Sequence, residues 1–160
     1  MLRRWGSFAG ECPDLAETGS RLLYQKGTTG FAYLATVAPD SGPRLHPVFP
    51  ILTTEDLWLF IVNLSPKYRD LCRNGRYALH SLPTPEGGEE FYVRGEAREV
   101  TDIKTRDQVI SASNGRQGTQ PFESLFCCHL ESVLYTKWQD WGTERSWPNY
   151  TKWFAQPSRR

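Results

Sequence analysis

Hydrophobic and polar positions along the chain alternate with two periods. Leu57 to Val62 is apolar at every position, the pattern of a strand buried on both faces. Phe91 to Arg98 alternates instead, which predicts Phe91, Val93, Gly95 and Ala97 inward and Tyr92, Arg94, Glu96 and Arg98 outward. Phe31 to Ala38 alternates too. Phe31, Tyr33, Ala35 and Val37 share one face there, and Leu34 and Thr36 the other. Arg76 to Leu82 and Leu125 to Trp138 read as further strands, the second bent near Glu131. Helical spacing appears from about 13 to 24, where Pro13 stands near the start and Leu15, Gly19, Leu22 and Leu23 form one stripe. A second helix is expected from Thr101 or Asp102, either of which can cap it, to about Ala112.

Turn chemistry separates these segments. Pro39, Asp40, Ser41 and Gly42 predict a hairpin turn into a second strand, Arg44 to Leu52. Pro47 and Pro50 remove two backbone donors from that strand, so it should be an irregular edge or bulged segment. Gly27 and Gly30 bracket the link into the first strand, Pro83 to Glu89 reads as an exposed loop, and Asn114 to Gly118 as a break. Met1 to Glu11 has no usable period. The pairs Arg3-Arg4 and Arg159-Arg160 are expected to be solvated. The tail, about 139–160, holds Trp141, Trp147, Tyr150, Trp153 and Phe154, too aromatic for a free tail. It is expected to pack on the body of the domain or on a partner subunit.

Composition narrows the class. The 160 residues suit one domain, 1–160, with a real core. Aromatics make up 13%, which fits a β-rich core with an aromatic surface or interface. The net charge of +1 gives no reason to expect nucleic acid or an anionic membrane as partner. No run approaches the ~20 apolar residues of a membrane span, and Met1 to Gly10 lacks the apolar core of a signal peptide. Cys12, Cys72, Cys127 and Cys128 lack CxxC spacing, and no His lies at zinc-finger spacing beside them. They are expected to be free buried thiols in a reducing cytoplasm, with Cys127 and Cys128 on opposite faces of a strand.

The chemistry concentrates where the apolar run ends. After Leu57–Val62, Asn63 and Leu64 leave the strand. Ser65 is a good N-cap, Pro66 suits the first helical position, Lys67 lies in the first turn, and Gly75 is a plausible stop. A helix start carries unpaired N–H groups and a partial positive charge, and a hydroxyl and an ammonium added there make a site for a phosphate. Arg44 and His46 fall on one face of the second strand, and an Arg fork would strengthen such a site. His80 and His129 read as structural. Glu89 and Glu90 read as solvated rather than as an acid–base pair. No dinucleotide fingerprint, Walker A loop or nucleophile elbow is present.

Taken in order, FAYLATVAPDSGPRLHPVFP (Phe31 to Pro50), LWLFIVNLSPKYRDLCR (Leu57 to Arg73), RYALHSLP and EEFYVRGEAREV (Glu89 to Val100) resemble the flavin-binding split-barrel family, the pyridoxamine phosphate oxidase-like proteins. The likeness covers roughly Gly30 to Val100. It implies a mainly β fold, a six-stranded antiparallel split barrel with flanking helices. It also implies a homodimer with flavin mononucleotide (FMN) in the cleft between chains, and an oxidoreductase acting on a small-molecule substrate. Arg44, Ser65 and Lys67 would hold the phosphate. His46, Pro47 and Val48 would lay strand backbone beside the isoalloxazine ring, and Val62 and Asn63 would approach it from the next strand end. Three departures set this chain apart from the true oxidases. The tail lacks their substrate-gripping Arg-x-His, Phe49 stands at their substrate lysine, and Phe91 near their glutamine. Two alternatives share the fold: a deazaflavin-dependent reductase, and a non-catalytic flavin or haem carrier or sensor, with His46, His80 or His129 as axial ligand.

Overall fold

The period-two segments fold into one antiparallel sheet. The computed structural model describes residues 1–25, 27–84 and 86–156, so Arg159 and Arg160 lie outside the described residues. The strands are β1 (Ala32–Val37), β2 (Pro43–Val48), β3 (Ile51–Leu52), β4 (Leu57–Val62), β5 (Arg76–Ser81), β6 (Glu89–Val100), β7 (Glu123–Gln139) and β8 (Trp147–Phe154). Their order is β2-β1-β5-β6-β7-β4-β3, with β8 also on β7. The helices are α1 (Trp5–Glu11), α2 (Pro13–Leu23), α3 (Pro66–Asn74) and α4 (Ile103–Ala112).

β7 joins the two halves of the sheet. It pairs with β6 along its length, while its opposite edge takes β4 at Glu123–Cys128 and β8 at Ser132–Gln139. The change of partner falls at the expected bend. Glu131 is the extra residue of a bulge, because Arg94 faces Ser132 while Gly95 faces Leu130. β8 is the predicted tail. It adds a strand that the six-stranded expectation lacked, and Trp153 buries against Phe8, with ring centroids 5.0 Å apart.

The expected second strand is broken. Phe49 and Pro50 separate β2 from β3, and β3 crosses to pair with β4. Pro43 and Pro47 alternate onto one side of β2, the open edge of the sheet, where no amide donor is needed.

The inward alternation of β6 holds: Phe91, Val93 and Ala97 are buried. Phe91 is fully covered, so it lies in the core rather than at a ligand. Gly19 of α2 lets the helix lie on its ring, since a Cβ there would come within 2.3 Å of Phe91. β4 is buried on one face and, on the other, only at its start, where its sequence implies burial on both. Leu57, Leu59 and Ile61 join the main core, and Trp58 packs with Ile51, Val109, Leu125 and Cys127 in a second cluster. On the second face α4 contributes Val109 to the cover of Trp58, while Phe60 is half-buried and Val62 exposed.

Met1 to Glu11, unreadable by period, forms α1 and buries Trp5 and Phe8. Arg3 and Arg4 are not solvated ends. Arg3 bridges Leu130 by backbone, and the Arg4 guanidinium pairs with both oxygens of the buried Asp56 carboxylate. Cys127 and Cys128 do face opposite sides and are buried, but Cys72 is exposed, which corrects the expectation of four buried thiols. Glu89 is also not merely solvated: Arg21 donates to both its oxygens and the Tyr135 hydroxyl to one.

If the C-terminal strand is integral, Trp153→Ala should cost about 3–5 kcal/mol, the range for truncating a buried aromatic. Its indole also donates to Glu11 at 2.8 Å. Urea unfolding followed by circular dichroism measures this. A loss within 0.5 kcal/mol, the range of neutral surface changes, would show that β8 is only laid on.

Candidate functional site

The junction of β4 and α3 forms as the sequence implies. The Ser65 hydroxyl accepts from the Tyr68 amide, Pro66 opens the helix, and Gly75 ends it in the left-handed region at φ 68°. Pro66 has no N–H, so Lys67 carries the first free amide of the helix. The Ser65 hydroxyl also donates to the Val62 carbonyl at 2.6 Å. Its proton is therefore committed, and Ser65 enters the site as a cap first.

β2 runs beside this helix start. Arg44 faces Thr36 and His46 faces Leu34 across the β1 ladder, which puts both on the inward face with Val48. His46 lies within electrostatic reach of Lys67, Arg44 and Asp70. Burial and then the two cations lower its pKa, so its imidazole is neutral at pH 7. Burial likewise lowers the Lys67 ammonium. The His46 Nε2 is buried and has no hydrogen-bond partner among the described residues. A buried polar atom without a partner is costly, so this one points to a group the protein alone does not supply.

Asp70, on the buried stripe of α3, organises the cluster. It is 1% exposed. It accepts from the Thr36 hydroxyl at 2.9 Å and from Arg44 Nε at 2.9 Å, and Arg73 approaches its other oxygen at 3.4 Å. Arg73 also donates to the Val37 carbonyl. Burial pushes the Asp70 carboxyl up, but the Thr36 hydroxyl and the guanidiniums outweigh it and hold it below its usual value. Arg44 spends only Nε on this pair. Its η nitrogens make no hydrogen bond among the described residues and remain a fork for an anion. Thr36, Asp70 and Arg73 escaped the sequence reading. The available signal was a lone acid on the apolar stripe of a helix, beside Leu71.

The other expected residues divide. Val48 points into the core, so only its backbone is available to a ligand. Pro47 and Val62 are exposed and Asn63 half-buried. Phe49, exposed, stacks on Phe31 at 5.2 Å. His80 lies on the outward face beside Tyr92, its Nδ1 2.6 Å from the Ser81 carbonyl. His129 lies apart from His46, in a cleft under α4.

No family model and no curated protein matches the chain. Solved structures do. The heme storage protein HutZ from Vibrio cholerae superposes with a TM-score of 0.59 at 18% identity, over 75% of this chain and 89% of that one. A NimC/NimA family protein from Clostridium acetobutylicum gives 0.58 at 14% identity, over 86% and 93%. An F420 reductase gives 0.52 at 20% identity, over 64% and 87%. At these identities the likeness is one of fold: the chain is a split barrel of antiparallel strands with flanking helices.

The pairing of Asp70 makes a signed prediction. Its depressed pKa gives stability that is present above the unfolded value of about 4 and is lost as pH falls through the folded value. Asp70→Asn should destabilise the protein at pH 7 by about 1–3 kcal/mol, below the range for a fully buried pair because the arginines are partly exposed. It should also flatten the acid side of the stability profile. Urea midpoints measured from neutral to acid pH test both, and an unchanged acid slope would remove Asp70 from this role.

Proposed function

We propose that the chain binds a phosphorylated flavin, FMN in the first place, and acts as an oxidoreductase on a small molecule. One observation carries this reading: Arg44 and Lys67 both act on His46, Lys67 in the first turn of α3, with Arg44 fixed by buried Asp70 and its η nitrogens left free. A phosphate monoester matches that donor set in charge and geometry. The unpartnered His46 Nε2 fits a ligand lying against β2, and the proline-edged strand leaves backbone carbonyls for it. Bound flavin supplies the electron or hydride transfer, while the protein binds, orients and shields it.

A deazaflavin with a longer phosphate tail is the second reading, since it would meet the same cations, and the fold is shared with an F420 reductase. Its shorter-wavelength absorbance separates it from FMN. A Soret band would instead place haem in the fold, as in HutZ, and bring His46 forward as ligand. A flavin that stays oxidised with every donor would favour a carrier or sensor.

The reading includes a homodimer. Tyr33 and Leu45 on the outward face of β1 and β2, Phe49 just beyond β2, and Phe154 on β8 are exposed apolar side chains that such an interface would cover. Among the described residues no helix is long and apolar enough to cross a membrane. The unpaired thiols suit a reducing cytoplasm.

Arg44→Ala and Lys67→Ala should each weaken FMN binding by about 1–3 kcal/mol, the range for charge-assisted bonds, and leave riboflavin almost unaffected. Isothermal titration with both ligands measures it, and equal losses would sink the phosphate assignment. Leu45→Glu should shift the protein toward monomer in sedimentation velocity. An unchanged sedimentation coefficient would move the interface off this face.

A further inference from the structure

A second cleft lies on the far side of β4 from Lys67. It holds about 570 Å³ between α4, the segment leading into β4, and Cys127 and His129 of β7. Its lining shares no residue with the phosphate cluster. Trp58, Val100, Val109 and Cys127 provide the apolar lining, and the exposed Gln108 stands at the rim. The Trp58 indole is held in place by its Nε1–H to Thr53 Oγ1, at 3.2 Å.

The charges at this cleft are already spent. Arg4 is paired with Asp56 and lies 3.8 Å from Glu55. The Cys127 thiol donates to Asp56 at 3.6 Å, and burial followed by that carboxylate pushes its pKa up to about 12, so it stays protonated. His129 is different. Its ring lines the cleft, neither ring nitrogen has a hydrogen-bond partner among the described residues, and Nδ1 is buried. Burial and then Arg98 lower its pKa, leaving a neutral imidazole with one donor and one acceptor. The cleft thus combines a fixed indole and aliphatic walls with one buried polar atom that has no partner, Nδ1 of His129, and with the Thr54 and Gln108 side chains also in its lining, the composition of a small-molecule pocket.

We propose that this cleft is a second binding site, which takes a small neutral aromatic molecule bearing a hydroxyl group, anchored on His129 and packed against Trp58. A hydroxyl both gives and accepts a hydrogen bond, so it can match either tautomer of the imidazole. An anion gains nothing here, because Arg4 is neutralised by two carboxylates. The proposal does not depend on flavin binding.

The test is an NMR titration of the ¹⁵N-labelled full chain with 2-naphthol and, in parallel, with 2-methylnaphthalene, which has the same shape without the hydroxyl. Saturable shifts are expected at the Trp58 indole N–H and the His129 ring nitrogens. The methyl analogue should bind about tenfold more weakly, the loss of one hydrogen bond to a buried partner. His129→Phe should abolish that preference. Gln108→Trp, a change at the exposed rim, should weaken both ligands by obstructing the mouth, and it decides the matter if His129→Phe does not fold. Shifts that fail to saturate, shifts centred on Arg44 and Lys67, an undiminished preference in His129→Phe, or undiminished binding in Gln108→Trp would each overturn the site.

Discussion

The pairing of β7 on both edges is the constraint on which the rest of the molecule rests. One 17-residue strand serves β6 on one side and both β4 and β8 on the other. Backbone hydrogen bonding is obligatory for buried amides, so each change of partner must be accommodated rather than skipped. The bulge at Glu131 does this, and Gly95 opposite permits it: a Cβ on Gly95 would come within 1.9 Å of the His129 carbonyl. The same bend lets the N-terminus dock, because Arg3 pairs by backbone with Leu130 beside it. Covered by α1, α2 and α3, the inner face becomes the main core. Covered by α4, the outer face of the β4 half becomes the second cluster and its cleft.

Elements with a strong period were legible from the chain alone. The alternation of Phe91 to Arg98 and the stripe Leu15, Gly19, Leu22 and Leu23 match the buried sets of β6 and α2. Both caps of α3 were written in Ser65, Pro66 and Gly75. Segments whose form depends on distant partners were not legible. α1 has seven residues and no long apolar stripe, and it exists because Trp5 and Phe8 dock on Trp153 and Phe91. β8 likewise reads as an aromatic tail until β7 is there to pair it. A continuous apolar run predicts cover on both faces of β4, but Phe60 is half-buried and Val62 exposed on the second one. That α4, which follows β6 in the chain, supplies part of the cover through Val109 is a tertiary fact.

The candidate site divides the same way. The pattern of Arg44, Ser65 and Lys67 came from local chemistry and from the resemblance in motif order, and the structure brings Arg44 and Lys67 around His46. What it adds is the reason they stay there. Arg44 on β2 and Asp70 on α3 are separated in the chain, and only the packing of α3 on β1, the neighbour of β2, makes them partners. A buried carboxylate needs cations, and these cations gain a fixed direction from it. Preorganisation of this kind lowers the ordering cost of binding an anion. The Ser65 hydroxyl shows the reverse: a side chain that looks free in sequence is occupied by the Val62 carbonyl.

The prolines of β2 have a consequence for how molecules of this protein meet one another. An open sheet edge is a template for strand addition by any other chain, and uncontrolled addition leads to aggregation. Each of the free margins here is blunted. β3, at one end of the sheet, is only two residues long. β2, at the other, carries Pro43 and Pro47, which offer no donor to an incoming strand. β8 carries Pro148 and Lys152. The strand that carries Arg44 and His46 is therefore also an edge that resists the growth of fibrils, so replacing its prolines to regularise the strand would trade colloidal stability for a straighter ladder.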